Sequence, residues 1–204
     1  MTGKLYGTLG PACADTDTLR ALLRAGMSGV RLNLSHGTLA ESAGWIAALR
    51  RAEETEGASC DLLIDLQGPE LRIGALAAPL MLRTGDELTL GAAFPVPPCL
   101  RGELLRGDEL LLDDGALSLR VLDGENMICR VERGGTLSSR KSLAVAGREL
   151  PAPALTEMDR ENLRHAGEYG VTALMQPFVR GADDLRAVRA ALRETGAEDL
   201  KIFA

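Results

Sequence analysis

A short segment near the N-terminus carries polar side chains at every second position. In the sequence GVRLNLSHG, residues 29–37, apolar residues alternate with Arg31, Asn33 and Ser35, and His36 follows them. This alternation is typical of a β-strand that is buried on one face. The guanidinium, amide and hydroxyl groups would then lie in a row on the other face, where they could bind a charged ligand.

A second cluster of polar residues lies at the end of the next predicted strand and just after it. The sequence IDLQGPELR places Asp65 at a strand end, and Glu70 and Arg72 come shortly after it. Two arginines, Arg31 and Arg72, can hold phosphoryl oxygens because each guanidinium presents a planar fork of N–H donors. The two strand ends therefore indicate a phosphate site.

Oxygen donors at the same strand ends indicate a second kind of ligand. Asn33, Ser35 and Asp65 supply oxygens, which suit a hard cation better than zinc. Structural roles are compatible with the same pattern, since Arg31 could form an ion pair with Asp65. Asn33 and Ser35 could cap the next helix, and His36 could be a loop or capping residue. The spacing alone leaves these alternatives open.

The elements that must position these residues alternate between strand and helix. Five strands are predicted, at residues 4–9, 29–35, 60–66, 171–178 and from 200 to the last residue. Amphipathic helical patterns separate most of them, which favours parallel βα units. This α/β pattern predicts part of a (β/α)8 TIM barrel, whose complete form needs about 250 residues.

The pattern changes between residues 74 and 147. Short alternating segments such as DELTLG and ALSLRVLD are separated by turn signals such as Asp114-Gly115. These features predict a small all-β module inserted in the α/β chain. The predicted organisation is therefore barrel over residues 1–73, inserted β domain over 74–147, and barrel again over 148–204.

The amino-acid composition argues against some classes of binding partner. A net charge of −6, aromatic residues at 3 % and the lack of a Lys/Arg-rich block argue against nucleic acid and anionic membranes as partners. No apolar run approaches the roughly 18 residues of a membrane helix. The four cysteines are far apart, which is typical of free thiols in a reducing compartment. We expect a cytoplasmic protein.

Several segments together resemble one enzyme family, pyruvate kinase. KLYGTLGPA, AGMSGVRLNLSHG and DLLIDLQGPELRIG resemble its opening segments, in order and at the expected spacing. GDELLLDDGALSL, VERGGTLSSRKSL, PALTEMDREN and PFVRGADDL resemble later segments. The resemblance covers essentially all 204 residues.

The resemblance implies a fold, a reaction and cofactors. The fold is a (β/α)8 barrel domain with a mobile β-barrel lid, the B domain, inserted after the third strand. The reaction is phosphoryl transfer from phosphoenolpyruvate to ADP, which gives pyruvate and ATP. The cofactors are Mg²⁺ (or Mn²⁺) and K⁺. Phosphoenolpyruvate and ADP or ATP are the implied partners.

The resemblance also implies ligands for substrate and nucleotide. Arg31 and Arg72 resemble the two arginines of the substrate phosphate site. His36 matches a histidine on the nucleotide side, and Lys141 matches a lysine of the lid domain near the nucleotide.

Potassium ligands are implied in the same way. Asn33, Ser35 and Asp65 resemble three ligands, and the backbone carbonyl of Leu66 resembles a fourth. Glu70 matches the acidic residue that accompanies dependence on K⁺.

Some of the family's catalytic groups have no counterpart among these residues. The lysine and glutamate of a Lys-Ile-Glu motif, and a further aspartate ligand of the divalent ion, would follow Ala204. We therefore assign no catalytic residue and expect the 204-residue chain to lack turnover on its own. One alternative is a non-enzymatic paralogue that binds a phosphate ligand or a partner protein. Another is a different barrel that handles phosphoenolpyruvate or pyruvate. Exposed barrel edges predict self-association.

Overall fold

A computed structural model describes residues 3–204, and the side chain of His36 lies outside the described part. The described strands are β1 (Tyr6–Thr8), β2 (Gly29–Asn33), β3 (Asp61–Asp65), β4 (Leu80–Leu82), β5 (Glu87–Thr89), β6 (Glu109–Leu112), β7 (Leu117–Asp123), β8 (Ile128–Arg133), β9 (Gly135–Leu137), β10 (Leu143–Val145), β11 (Ala173–Met175) and β12 (Lys201–Phe203). The helices are α1 (Thr16–Arg24), α2 (Ala43–Glu56), α3 (Glu157–His165) and α4 (Ala182–Glu194). Short 3-10 turns lie at Leu34–His36 and Pro98–Leu100.

One compact unit contains the chain up to Pro69 together with Pro153–Ala204. Its sheet has the order β1-β2-β3-β11-β12, and every neighbouring pair is parallel. Strands therefore lie side by side in chain order, and each of the helices α1, α2, α3 and α4 falls between two successive strands of this sheet. The predicted α/β class is confirmed.

The two faces of this sheet differ in chemistry. One face belongs to an apolar core that it shares with the four helices, with strand residues Val30, Leu32, Leu62, Ile64 and Leu174. Side chains alternate between faces along a strand, so the other face carries the polar residues. Strand register sets Thr8 beside Arg31, and Asn33 beside Asp65.

Local capping explains where two elements of this unit begin. Asp15 is the N-cap of α1, and its carboxylate accepts the backbone N–H of Thr18. Thr156 begins α3 with a capping box in which Asp159 is the partner residue. Each helix therefore begins where a side-chain oxygen accepts a backbone N–H of its first turn.

Strand β2 is shorter than predicted. It ends at Asn33, and the predicted strand residue Ser35 lies in the following 3-10 turn. The cause is the Asn33 side chain, whose Oδ1 accepts the backbone N–H of Ser35 at 2.9 Å and bends the chain away from the sheet. The prediction that Ser35 lies on the strand face is therefore wrong.

The second compact unit spans Glu70–Ala152. It contains a five-stranded antiparallel sheet of order β10-β6-β7-β8-β5 and a two-stranded sheet of β4 and β9. Its separate apolar core includes Phe94, Leu110 and Val131. Asp113 and Asp114 both have positive φ in the turn between β6 and β7, which agrees with the predicted hairpin.

Two further features concern the whole described chain. Within residues 3–204, every helix is too short or too polar to span a lipid bilayer. The four cysteines are free thiols, and burial raises the pKa of Cys60 and of Cys129 to about 11.

Candidate functional site

The carboxyl ends of β2 and β3 bring three of the predicted site residues together. Asn33 and Asp65 are register neighbours at the last positions of these strands. Arg31 precedes Asn33 by two residues and therefore lies on the same face. The row predicted along β2 therefore forms only at Arg31 and Asn33, and Asp65 of β3 adds a carboxylate beside Asn33.

Arg31 and Asp65 form an ion pair through a single carboxylate oxygen. The Nε of Arg31 donates to Oδ2 of Asp65 at 2.8 Å, and one terminal nitrogen, Nη2, donates to the same oxygen. The other, Nη1, lies 3.5 Å from Oγ1 of Thr8. The Arg31 side chain is 33 % exposed. Asp65 therefore occupies the side fork of the guanidinium, and on its end fork Nη1 makes the longer contact with Thr8.

The second oxygen of Asp65 is buried without a partner. Oδ1 makes no hydrogen bond to any residue in the described part of the chain, and the Asp65 side chain is 9 % exposed. A desolvated carboxylate oxygen is costly unless a donor or a cation compensates it. Asn33 Oδ1 accepts one hydrogen bond and retains a second lone pair. This all-oxygen donor set fits an alkali cation such as K⁺.

The loops that follow β2 and β3 are fastened to helix α3. Asp159, 1 % exposed, accepts the backbone N–H of Gln67 at 2.8 Å and of Gly68 at 3.1 Å. Asn162, 3 % exposed, accepts the backbone N–H of Leu39 at 3.0 Å. The sequence patterns reveal neither contact, because these hydrogen bonds join residues 91 to 123 positions apart.

Three predicted site residues lie in the second compact unit. Arg72 donates through Nε to Oε2 of Glu70 at 2.8 Å and through Nη1 to the carbonyl of Arg140 at 3.0 Å. Lys141 Nζ lies 2.8 Å from Oδ1 of Asp113. Each of these two cationic side chains thus has a carboxylate neighbour within its own unit.

The predicted residues therefore fall into separate groups. The first unit holds Arg31, Asn33 and Asp65 on the sheet, with Ser35 in the adjacent turn and Leu66 directly after β3. The second unit holds Glu70, Arg72 and Lys141. The nucleotide ligand predicted at the His36 side chain lies outside the described part of the chain.

The described residues contain no cluster of ligands for a divalent ion. Among the described residues, no three His, Cys, Asp or Glu side chains are grouped so that they could hold a metal ion. These residues therefore do not fit the Mg²⁺ or Mn²⁺ that the resemblance implies, and we derive no step through that ion.

Comparison with known proteins gives consistent matches. The sequence model described as "Pyruvate kinase, barrel domain" matches residues 2–96 and 97–204. Pyruvate kinase from Aeropyrum pernix is 35 % identical over 98 % of this chain and 45 % of the relative. That from Mycobacterium intracellulare is 34 % identical over 95 % and 44 %, and that from Agrobacterium vitis 36 % over 98 % and 44 %. The chain spans less than half the length of these curated relatives.

Proposed function

This chain belongs to the pyruvate kinase family, and from that premise we propose that it contributes to phosphoryl transfer from phosphoenolpyruvate to ADP. The parallel strands in chain order support a partial (β/α)8 barrel. The antiparallel unit that interrupts the chain after β3 supports an inserted lid domain. We assign one phosphate ligand, Arg31, and the cation ligands to the strand ends of the first unit and to the residues that directly follow them.

The observation that carries this proposal is the Arg31–Asp65 ion pair, in which two guanidinium nitrogens donate to the same carboxylate oxygen. The carboxylate holds the Arg31 guanidinium by its side fork, and we assign the end fork, whose Nη1 has a long 3.5 Å contact with the Thr8 hydroxyl, to two phosphoryl oxygens. A guanidinium fixed before the substrate binds does not have to be reoriented during the reaction, which lowers the cost of stabilising the transferring group. Phosphoryl transfer depends mainly on such positioning and charge neutralisation.

Potassium would be held by the oxygen donors around Asp65. The buried Oδ1 of Asp65, the Asn33 amide oxygen, the Ser35 hydroxyl and the Leu66 carbonyl are the proposed ligands. Bound there, the ion would supply a second positive charge to the phosphate site next to Arg31. Glu70 is proposed as the residue linked to potassium dependence.

The remaining assignments concern substrate and nucleotide. Arg72 is proposed as the second arginine for the phosphoryl group, and His36 and Lys141 as nucleotide ligands. Arg72 and Lys141 each have a carboxylate neighbour, Glu70 and Asp113, that ligand phosphates would have to replace or share.

A turnover assay tests this function. The complete reading frame that encodes these residues, and the 204-residue chain, would each be supplied with phosphoenolpyruvate, ADP and Mg²⁺. Pyruvate would be followed in KCl and in tetramethylammonium chloride at equal ionic strength. We expect turnover from the complete reading frame, faster in KCl, and none from the 204-residue chain. A complete reading frame without turnover would contradict the proposal and favour a phosphate-binding paralogue.

A further inference from the structure

Helix α3 holds the peptide that carries one of the proposed potassium ligands. The Leu66 carbonyl and the Gln67 N–H belong to the same peptide group, and that N–H is bound by Oδ1 of Asp159 at 2.8 Å. The described chain contains no cis peptide bond, so this carbonyl points away from the N–H and therefore away from Asp159. The carboxylate thus fixes the plane of the peptide and the direction of its oxygen.

The two oxygens of Asp159 have different tasks. Oδ2 accepts three donors: the N–H of Gly68 at 3.1 Å, and the N–H and hydroxyl of Thr156 at 2.9 and 2.8 Å. Oδ1 accepts the N–H of Gln67. A charged acceptor also polarises the peptide to which it bonds, which makes the opposite carbonyl oxygen a better cation ligand.

Burial makes this arrangement rigid. Asp159 is 1 % exposed, and it is anchored in the first turn of α3 by its capping box. The loop has little freedom to adjust, because Gly68 has φ +66° and a Cβ there would lie 2.9 Å from a side-chain carbon of Pro177. The Leu66–Gln67 peptide is therefore held by a fixed support on the side remote from the cation.

We infer that Asp159 is a positioning residue that orients the Leu66 carbonyl toward a bound alkali cation. This inference rests on the proposed function, since it requires the cation site at Asn33, Ser35 and Asp65. Residues that orient ligands from outside the coordination shell commonly change metal affinity by about ten- to a hundredfold. In this role Asp159 does not bind the cation and acts only through the Leu66–Gln67 peptide group.

Replacement of Asp159 by Asn provides the test variant. The asparagine oxygen would be needed at the Oδ2 position, where three donors converge, so its NH₂ group would face the Gln67 N–H and repel it. The matched control is Asn162→Leu, which also removes one buried acceptor on α3 but releases Leu39 instead of the Leu66–Gln67 peptide. Both variants lose a long-range hydrogen bond from the same helix.

Thallium(I), a spectroscopic substitute for K⁺, would be titrated into the 204-residue chain and followed by ²⁰⁵Tl NMR. Unfolding midpoints in KCl and tetramethylammonium chloride would be measured in parallel. We expect Asp159→Asn to weaken Tl⁺ binding by about ten- to a hundredfold and to abolish the K⁺-specific rise in the midpoint. Asn162→Leu should stay within about twofold of the unmodified chain in Tl⁺ affinity, although its midpoint falls.

The outcomes separate the inference from the proposed function. Equal Tl⁺ affinities in the unmodified chain and Asp159→Asn would overturn the inference and leave the cation site in place. Equal losses in Asp159→Asn and Asn162→Leu would overturn it as well, because they would show only general damage to α3. No Tl⁺ binding by the unmodified chain would refute the cation site, and the inference with it.

Discussion

Arg31 directs two guanidinium nitrogens to one oxygen of Asp65 and leaves the other oxygen, Oδ1, buried without a hydrogen-bond partner among the described residues. A pair that served stability alone would gain by engaging both oxygens, as bidentate arginine–carboxylate pairs do. The one-sided contact instead holds the guanidinium in place and leaves a negative oxygen for a second positive charge.

The first prediction concerns Asp65. Asp65→Asn keeps the shape of the side chain but removes the charge that faces Arg31 and the proposed cation. We expect the free energy of unfolding to fall by about 1–3 kcal/mol and the K⁺-specific increase in unfolding midpoint to disappear. Urea unfolding in KCl and in tetramethylammonium chloride measures both effects.

A carboxylate at the opposite end of the same strand provides the control. Asp61 is paired with Lys4 at 2.6 Å and lies at the start of β3. Asp61→Asn should lower stability and keep the potassium response. A potassium response that survives in Asp65→Asn, or is lost in both variants, would contradict the assignment of the cation to Asp65.

The second prediction concerns Lys141 in the antiparallel unit. Its ion pair with Asp113 has both side chains partly exposed, at 38 % and 29 %, so its loss should change stability by less than about 1 kcal/mol. If Lys141 binds nucleotide phosphate, Lys141→Gln should raise the KM for ADP of the complete reading frame by about tenfold, since a charge-assisted hydrogen bond is lost.

Asp113→Asn is the matched control for that measurement. It removes the same ion pair but retains the lysine, so the KM for ADP should stay constant or fall. An unchanged KM in Lys141→Gln would remove this residue from the nucleotide site, and an equal rise in both variants would indicate damage to the β6–β7 turn.

The sequence predicted those parts of the fold that depend on local patterns. The alternation of strand and helical patterns predicted the parallel strands and the α/β class. The same reasoning failed at Ser35, because the Asn33 side chain competes with the sheet for the next backbone N–H. The alternation of polar and apolar residues does not show whether a polar side chain will form a hydrogen bond with the backbone next to it.

The candidate site could be predicted only in part for a related reason. Arg31, Asn33 and Asp65 were found because parallel strand ends converge, which follows from topology. The buried acceptors Asp159 and Asn162 were missed because a buried acceptor for a distant loop N–H has no local signature. Their contacts join segments about 90 to 120 residues apart, and only the packed structure shows them.

The third prediction concerns stability at high pH. Tyr6 donates to Oδ2 of Asp61 at 2.5 Å, and this hydrogen bond, with burial and the charge of Asp61, raises the pKa of Tyr6 to about 12. The unfolded chain loses this proton near pH 10, earlier than the folded chain. The stabilisation is therefore complete below about pH 10 and is lost as the pH rises to about 12.

Tyr6→Phe isolates this contribution. The aromatic ring remains packed against Gly29, where an added Cβ would lie 2.2 Å from a ring carbon, and only the hydroxyl is removed. Urea unfolding from pH 8 to 12 should show a stability advantage of the unmodified chain that shrinks between pH 10 and 12. Cys129 titrates in both variants, so its contribution cancels in the comparison. A difference that is independent of pH would contradict the role of the hydroxyl.

The fourth prediction concerns the two sheet edges, β1 and β12, each of which pairs with a single strand among residues 3–204. In β12, the backbone N–H of Lys201 donates to the carbonyl of Thr172, and the carbonyl of Phe203 accepts the backbone N–H of Gln176. Both residues therefore turn their backbone groups toward β11. The backbone N–H and carbonyl of Ile202, which lies between them, face outward. An unpaired strand edge beside a 41 % exposed Phe203 favours pairing with a second copy.

We therefore expect the 204-residue chain to self-associate with rising concentration in sedimentation-equilibrium measurements. Phe203→Lys should weaken this association by placing a charge at the edge, while Met158→Lys, an equally exposed position on α3, should not. A monomer at all concentrations, or equal effects of the two lysines, would show that these edges do not drive association.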